Sequence, residues 1–286
     1  MYHLERLTSY PVVGAAGSDY EQLPVTKDGP QFDRRFIFFD DEKMRRLSTK
    51  APQLPTLMLL KPVYQHPETH DVDEAKLQLY NPDGSFVTFH EDSFSERVVI
   101  DEFDRDLSVD ALNGDASDHL DKVRKWFKQS KFVDHIRLCR RVTDKDDEHY
   151  LEPGKRGNKA FHILTTSTLD ELHRLTGISQ YELYMRLRAN MLINNSGFEP
   201  FEELKWKSLR TESGVELIDL YGTHRCDVPG RNPATAEKEG DLVQLYPSLP
   251  KQTHDGKTKT VIGLYGTLGS EPGTMFMNEQ VEVEYV

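Results

Sequence analysis

The segment YGTHRCDVPGRNPATAE, residues 221–237, sets His224, Arg225 and Cys226 side by side in a chain that has only two cysteines. Three roles compete for Cys226: an inert core thiol, a nucleophile and a metal ligand. A nucleophilic thiol needs a histidine brought close by folding to take its proton. Eleven histidines are available, yet none of the local signatures of cysteine proteases surrounds Cys226. As a zinc ligand, Cys226 has His224 beside it, but Cys139 is remote in sequence and His162, His173 and His254 follow no metal-ligand spacing. Two cysteines also cannot hold an iron–sulfur cluster or frame a disulfide scaffold. Any redox chemistry therefore needs an imported cofactor.

Other chemistries fall away on the same kind of test. The run DGKTKT contains Gly256, Lys257 and Thr258, but Lys251 stands where a phosphate-binding loop needs its first glycine. The acidic pairs DDEK, DKDDE and FEEL belong to a chain with 48 carboxylates, so solvated surface explains them without an acid–base role. A formal charge of −12 and an isoelectric point near 5.4 argue against nucleic acid as a partner, because that binding draws on clustered Lys and Arg. The opening residues MYHLERLTSYPVVGAAG show no basic patch followed by an apolar run, and no stretch is long and apolar enough to cross a bilayer. A soluble, cytoplasmic protein with no membrane partner is the expectation.

The elements that must position Cys226 are mostly strands. RRFIFFDD and LPTLMLLKPVY are apolar runs bounded by charge and proline. KLQLYNPDGSFVTFH reads as two extended runs around Asn81-Pro82-Asp83-Gly84, which is turn chemistry. In DASDHLDKVRKWFKQS, Leu120, Val123, Trp126 and Phe127 recur at helical spacing behind Ser117 or Asp118 as N-cap. KFVDHIRLCRRV follows as a strand, with Cys139 a small buried hydrophobe in it. The polar segment DKDDEHYLEPGKRGNK is expected to be a mobile loop over 144–159, beside the pocket. Next, AFHILTTSTLDELHRLTG runs from a strand into a helix capped by Thr166, Ser167 or Thr168, whose N-terminus attracts anions. NMLIN, GVELIDLYG, TVIGLYGTL and EQVEVEYV complete the strands.

Six short motifs, LTSYPVVG, FDRRFIFFD, FHILTTSTLDELHR, RLRANMLIN, FEELKWKSL and HRCDVPGRNPAT, occur in an order that resembles MOSC-domain proteins with an N-terminal MOSC β-barrel. The pattern is similar to that of the mitochondrial amidoxime-reducing component and its bacterial relatives, and it spans nearly the whole chain. The resemblance implies a β-rich mixed α/β fold: an N-terminal β-barrel-like domain over 1–112 and a MOSC β-barrel with flanking helices over 113–286. It implies that Cys226 ligates the molybdenum of a pterin cofactor, with a neighbouring Arg225 favouring the thiolate. Arg188 and Asn190 would hold the cofactor, and Arg34 suits its phosphate because a guanidinium binds a phosphate through two parallel bonds. Ser167 would add hydroxyl or backbone contacts.

The activity implied is a molybdenum-cofactor oxidoreductase that reduces N-hydroxylated small molecules with electrons from a separate donor protein. Two alternatives stand beside it. The MOSC domain also occurs in cofactor sulfurases, with their association with pyridoxal phosphate binding, so a cofactor or sulfur carrier is one; a degenerate, non-catalytic barrel is the other. Departures from the family pattern bear on the choice. Val13-Gly14 replaces the usual Lys-Ser, an arginine expected further on reads Thr49 or is displaced to Lys50, and Thr235-Ala236 replaces Thr-Gly. Each charge-assisted hydrogen bond lost from an anion site costs about 1.5 to 3 kcal/mol.

Overall fold

The computed structural model describes residues 1–50, 53–66, 74–102, 105–113, 117–127, 133–142, 146–148, 161–254 and 256–286. From the N-terminus come β1 (Tyr2–Ser9), β2 (Ser18–Tyr20), β3 (Gln22–Thr26), β4 (Gly29–Pro30), β5 (Phe36–Asp40), β6 (Arg45–Arg46) and β7 (Lys61–Gln65). Then follow β8 (Lys76–Tyr80), β9 (Phe86–His90), β10 (Phe94–Asp101), β11 (Asp106–Leu112), α1 (Ser117–Trp126) and β12 (Ile136–Arg141). The remainder runs through β13 (Phe161–Thr165), α2 (Thr166–Thr176), α3 (Gln180–Leu187), β14 (Met191–Asn194), β15 (Trp206–Thr211) and β16 (Glu216–His224). It ends with α4 (Asp241–Gln244), β17 (Lys251–His254), β18 (Lys257–Leu268), β19 (Gly273–Phe276) and β20 (Gln280–Tyr285).

Two barrels result, as a β-rich mixed α/β chain should give. The smaller closes through β10-β11-β12-β5-β6, with β10 returning to β6. The larger runs β13-β14-β1-β20-β15-β16-β18 and closes where β18 pairs back onto β13. Strand β5 explains why its apolar run shows no alternation. All five of its residues are buried, because Phe36 and Phe38 face one core cluster while Ile37 and Phe39 face another. In the larger barrel Leu4, Leu7, Ile163, Ile193 and Leu264 fill the interior. Helices α2 and α3 cover its outside through Leu169, Leu172, Leu183 and Leu187.

Several expectations shift by small amounts. Helix α1 starts at Ser117 and buries Leu120, Val123 and Phe127 as its spacing requires. The cap of α2 is Thr165, one residue ahead of the three candidates, and its side chain accepts the Thr168 N–H. The run from Leu54 divides into a 3-10 turn at Pro55–Leu59 and then β7, because Pro55 suits a helical first position. The loop expected over 144–159 lies outside the described residues except at 146–148.

The division expected at residue 112 does not follow the sheets. Strand β1 belongs to the larger barrel, between β14 and β20. Strand β12 belongs to the smaller one, between β11 and β5. Local pattern reveals that a strand exists, whereas its partner is chosen by packing at long range, so two strands cross a boundary drawn along the sequence. Because β1 leads directly into Tyr10 and the start of the smaller barrel, the seam between barrels is covalent as well as packed.

Candidate functional site

Cys226 is exposed, while Cys139 is fully buried and burial pushes its thiol well up. Only Cys226 can therefore meet a ligand from solvent. It lies two residues past the end of β16, and the backbone there is fixed from two sides. Arg225 N–H donates to Thr260 O at 3.0 Å, and Tyr246 Oη donates to Cys226 O at 2.9 Å. A short turn at Val228–Gly230, with Pro229 in its first positions, then carries the chain away.

Arg225 points inward. Its Nε donates to Ile262 O at 3.1 Å and its Nη1 to Leu187 O at 3.2 Å. Its Nη2 reaches Ile262 O and, at 2.5 Å, His162 Nε2. Ile262 O is available because β18 bulges there: Gly222 pairs with Leu264 and His224 with Val261, so two residues of β18 oppose one of β16. The extra residue pair includes Gly263 at φ +72°, where an added Cβ would lie 2.4 Å from Ile163 O, so only glycine fits. His162 is buried, and burial together with Arg225 holds its imidazole well below the ordinary range. It is neutral, and because a guanidinium has no acceptor, Nε2 must accept. Arg225 thus braces the barrel behind Cys226 rather than presenting its fork to a ligand.

Arg34, Arg188 and Asn190 come together around Tyr10 and Asp33. Arg188 closes α3 at φ +59°, a left-handed position uncommon for any residue but glycine, and this turns the chain at the end of the helix. Its Cζ lies 4.3 Å from the centre of the buried Tyr10 ring, and its Nη1 donates to Ala15 O. Arg34 Cζ lies 5.6 Å from the same ring, and Arg34 pairs with Asp33. Two cations close to one ring repel. Burial first, and Arg34 among the lesser causes, pull the Arg188 guanidinium down to about 10. Asn190 is fully buried, and its amide is spent within the protein. Oδ1 accepts His162 N–H at 3.1 Å, while Nδ2 donates to Thr8 O at 3.1 Å and Asp33 Oδ1 at 3.2 Å. Its place is that of a staple between β1, β13 and β14.

Ser167 sits apart from this group. Strand β13 carries His162 at one end and delivers Thr166 at the other, roughly 13 Å away at ~3.3 Å per residue. There Ser167 N–H donates to Asn195 Oδ1 at 2.9 Å and its hydroxyl to Glu199 O at 3.3 Å. The anion that the α2 N-terminus attracts is internal. Thr165 Oγ1 donates to Glu203 Oε2 at 3.0 Å, and Thr168 Oγ1 lies 2.9 Å from both Glu203 oxygens.

Burial raises the Glu203 carboxyl above its ordinary value, against the threonine hydroxyls. A carboxyl raised by folding adds stability that is complete below the unfolded-state value of about 4.3 and is lost as pH rises through the folded one. Glu203→Gln removes that loss. The variant should therefore gain on wild type as pH rises above the unfolded-state value of about 4.3, read by urea unfolding across a pH series. A stability difference that stays constant across the series would contradict the raised carboxyl.

A small cavity of about 60 Å³ lies in the seam between barrels. One wall is Gly14, Ala16, Thr49 and Met58; the facing wall carries Arg186, Arg188 and Arg231, with Val228 two residues past Cys226. The departures Gly14 and Thr49 thus line the same space as Arg188. Gly14 has φ +88°, and a Cβ there would lie 2.9 Å from Leu57 Cδ2, while Val13 packs beside Ile37 and Phe39. A larger cleft of about 960 Å³, bordered by Tyr20, Phe32, Tyr64 and Phe276, contains none of the residues singled out by sequence. Its size alone does not make it the site of chemistry.

Sequence reasoning missed His162, Asp33, Tyr10, Arg186 and Arg231. Asp33 had a signal, standing directly before Arg34. Arg186 had one too, two residues before Arg188 on the same motif. His162 had none, since a buried histidine in an apolar strand reads as part of the core.

Residues 1–133 match the family model of the MOSC N-terminal beta barrel domain. The chain is 24% identical over 257 residues to a molybdenum cofactor sulfurase of Drosophila willistoni, a match covering 87% of this chain and 29% of the sulfurase. It is also similar to the YUAD protein of Bacillus subtilis in crystal structure, at 12% identity and a TM-score of 0.43, over 100% of this chain and 97% of that one. No helix among the described residues is long and apolar enough to cross a membrane. The matched region supplies β5, β6, β10 and β11, four of the five strands of the closed small barrel, so the N-terminal part of the chain is a MOSC N-terminal beta barrel domain.

Proposed function

We propose that this protein binds a molybdenum cofactor through Cys226 and reduces N-hydroxylated small molecules, taking electrons from a separate donor protein. The observation that supports this most directly is the exposure of Cys226, a thiol on a braced loop two residues before Val228, which lines the arginine-bordered cavity. Among the described residues no three His, Cys, Asp or Glu side chains converge. A metal held by one protein thiolate must bring its other ligands, as a dithiolene-bearing pterin does. The donor chemistry fits such a group, since an exposed thiol supplies a soft sulfur ligand and Arg188 and Arg231 line a cavity that suits an anion.

When bound, the cofactor would supply a metal that changes oxidation state as oxygen leaves the substrate. The chain's own residues have narrower tasks. Cys226 would hold the metal; Arg225 and Tyr246 keep the Cys226 backbone in place; Arg188, beside the Asp33-paired Arg34, would give the seam its positive charge. Asn190 holds the strands that carry them, and Ser167 plays its part at the far end of β13, where it secures the start of α2.

A second reading, a cofactor or sulfur carrier without turnover of its own, draws support from the sulfurase comparison and from the uncharged Gly14–Thr49 wall. The chain spans 29% of that sulfurase, and pyridoxal phosphate enters only through that comparison, so neither proposal rests on it. The separating experiment uses protein purified from a molybdate-fed host. Near-stoichiometric molybdenum with reduction of an amidoxime by an artificial electron donor supports the oxidoreductase. Molybdenum without turnover favours the carrier, and protein with neither molybdenum nor pterin overturns both.

A further inference from the structure

The cleft of about 960 Å³ is lined for a different guest from the seam cavity, and no residue lines both. Its size is that of a site for a small organic molecule. Four aromatic side chains border it, Tyr20, Phe32, Tyr64 and Phe276. Among the described residues Glu21 is the only charged one in the lining, and no Lys or Arg reaches it. The Glu21 carboxylate makes no hydrogen bond or ion pair with a described residue, so its charge is not cancelled locally.

The backbone holds these groups in place. Phe276 pairs with Gln22 at the end of the β3–β19 ladder, and Met277 N–H donates to Glu21 O at 2.8 Å. The exposed Phe276 and the carboxylate-bearing residue are thereby kept close together. Phe32 has φ +64°, a conformation that a bulky residue keeps only where its surroundings impose it, and one that gathers at ligand sites. Here Gln31 N–H donates to Pro24 O at 2.8 Å and Asp33 N–H to Pro30 O at 3.0 Å, on either side of it. The Phe32 ring then meets the buried Tyr64 ring edge to face at 4.8 Å.

Charge decides what such a lining recognises. The face of an aromatic ring is negative, so it attracts a cation and offers an anion nothing. Phe32 already does this inside the protein, where the Arg35 guanidinium lies 5.7 Å from its ring centre and is neutralised by Glu91. A neutral aromatic guest would cover the rings but leave Glu21 unmet. An anion would meet a carboxylate with no cation to offset it.

We propose that this cleft binds a small organic cation, an ammonium or amidinium group on an apolar body, with the four rings as its cage and Glu21 as its counter-charge. The site goes beyond the cofactor reading and uses neither Cys226 nor the seam arginines.

Benzyltrimethylammonium is the probe, titrated by calorimetry into the full chain without cofactor at constant ionic strength. Wild type should bind one probe per chain saturably. Benzyl alcohol, which keeps the ring and lacks the charge, should bind at least about tenfold more weakly, and benzoate should not bind. Glu21→Gln and Phe276→Ala should each weaken the probe about fivefold, the effect of losing one exposed ion pair or one cation–ring contact. Both residues are exposed, so neither change threatens the fold. Tyr181→Ala, at an exposed aromatic outside the cleft, should bind like wild type.

Absent saturation in wild type overturns the proposal. So does benzyl alcohol binding as tightly as the cation, because the cleft is then merely apolar. Probe binding that ignores both Glu21→Gln and Phe276→Ala places the cation elsewhere and overturns it as well. Molybdenum content has no bearing on any of these results, so failure here leaves the cofactor reading intact, and a protein that never acquires molybdenum leaves this site standing.

Discussion

Arg225→Met is expected to destabilise the protein by roughly 3 to 5 kcal/mol, even though the substitution stands next to the candidate metal ligand. The guanidinium is the shared partner of Ile262 O, Leu187 O and His162 Nε2. Methionine fills much of its volume but donates nothing, so two buried carbonyls and a neutral imidazole lose their donor together. At about 2–4 °C per kcal/mol for a chain of this size, the melting temperature should fall on the order of 10 °C. Arg225→Lys should recover little of it. An ammonium is a point donor and cannot span a carbonyl on one strand, another at the end of α3 and the imidazole at once. Thermal melts of both variants test this. A methionine variant that melts with wild type would mean that the arginine serves a bound ligand and not the barrel.

That reassignment marks where the sequence stops being informative. Alternation and turn chemistry reveal the strands, and the hairpin β8–β9 turns where Asn81-Pro82-Asp83-Gly84 predicts, with Gly84 N–H donating to Asn81 O at 2.9 Å. Three of the residues singled out, Arg34, Arg188 and Asn190, gather around Tyr10 and Asp33, and Arg225 is tied to them through His162, while Cys226 makes no described contact with them. The direction in which each side chain points is another matter. Asn190 and Arg225 face into the barrel because a β18 bulge and the β1–β14 pairing create carbonyls and amides that need them, and bulges leave no local signature beyond a glycine such as Gly263. Ser167 misleads for the opposite reason. A helix N-terminus at the end of a strand does attract an anion, but the nearest one in space is the Glu203 carboxylate, placed there by a turn 36 residues further along the chain.

Cys226→Ser should abolish molybdenum retention and leave stability unchanged. The residue is exposed, and its described contacts run through the backbone carbonyl that Tyr246 holds, which serine keeps. Exposed substitutions away from caps and cores stay within about 0.5 kcal/mol, so the melting temperature should move by no more than about 2 °C. The ligand set changes sharply. A thiol ionises near neutral pH and is soft, whereas a serine hydroxyl stays protonated and binds as a hard oxygen. Metal analysis of wild type and variant from the same molybdate-fed host reads the difference directly, from near one molybdenum per chain to background. Cys139→Ser serves as the contrast, since its buried thiol donates to Ile37 O at 3.3 Å between β12 and β5: molybdenum should persist there while stability falls. If the Cys226 variant keeps its molybdenum, the metal has another anchor, and the exposed thiol beside the arginine-lined seam has been given the wrong role.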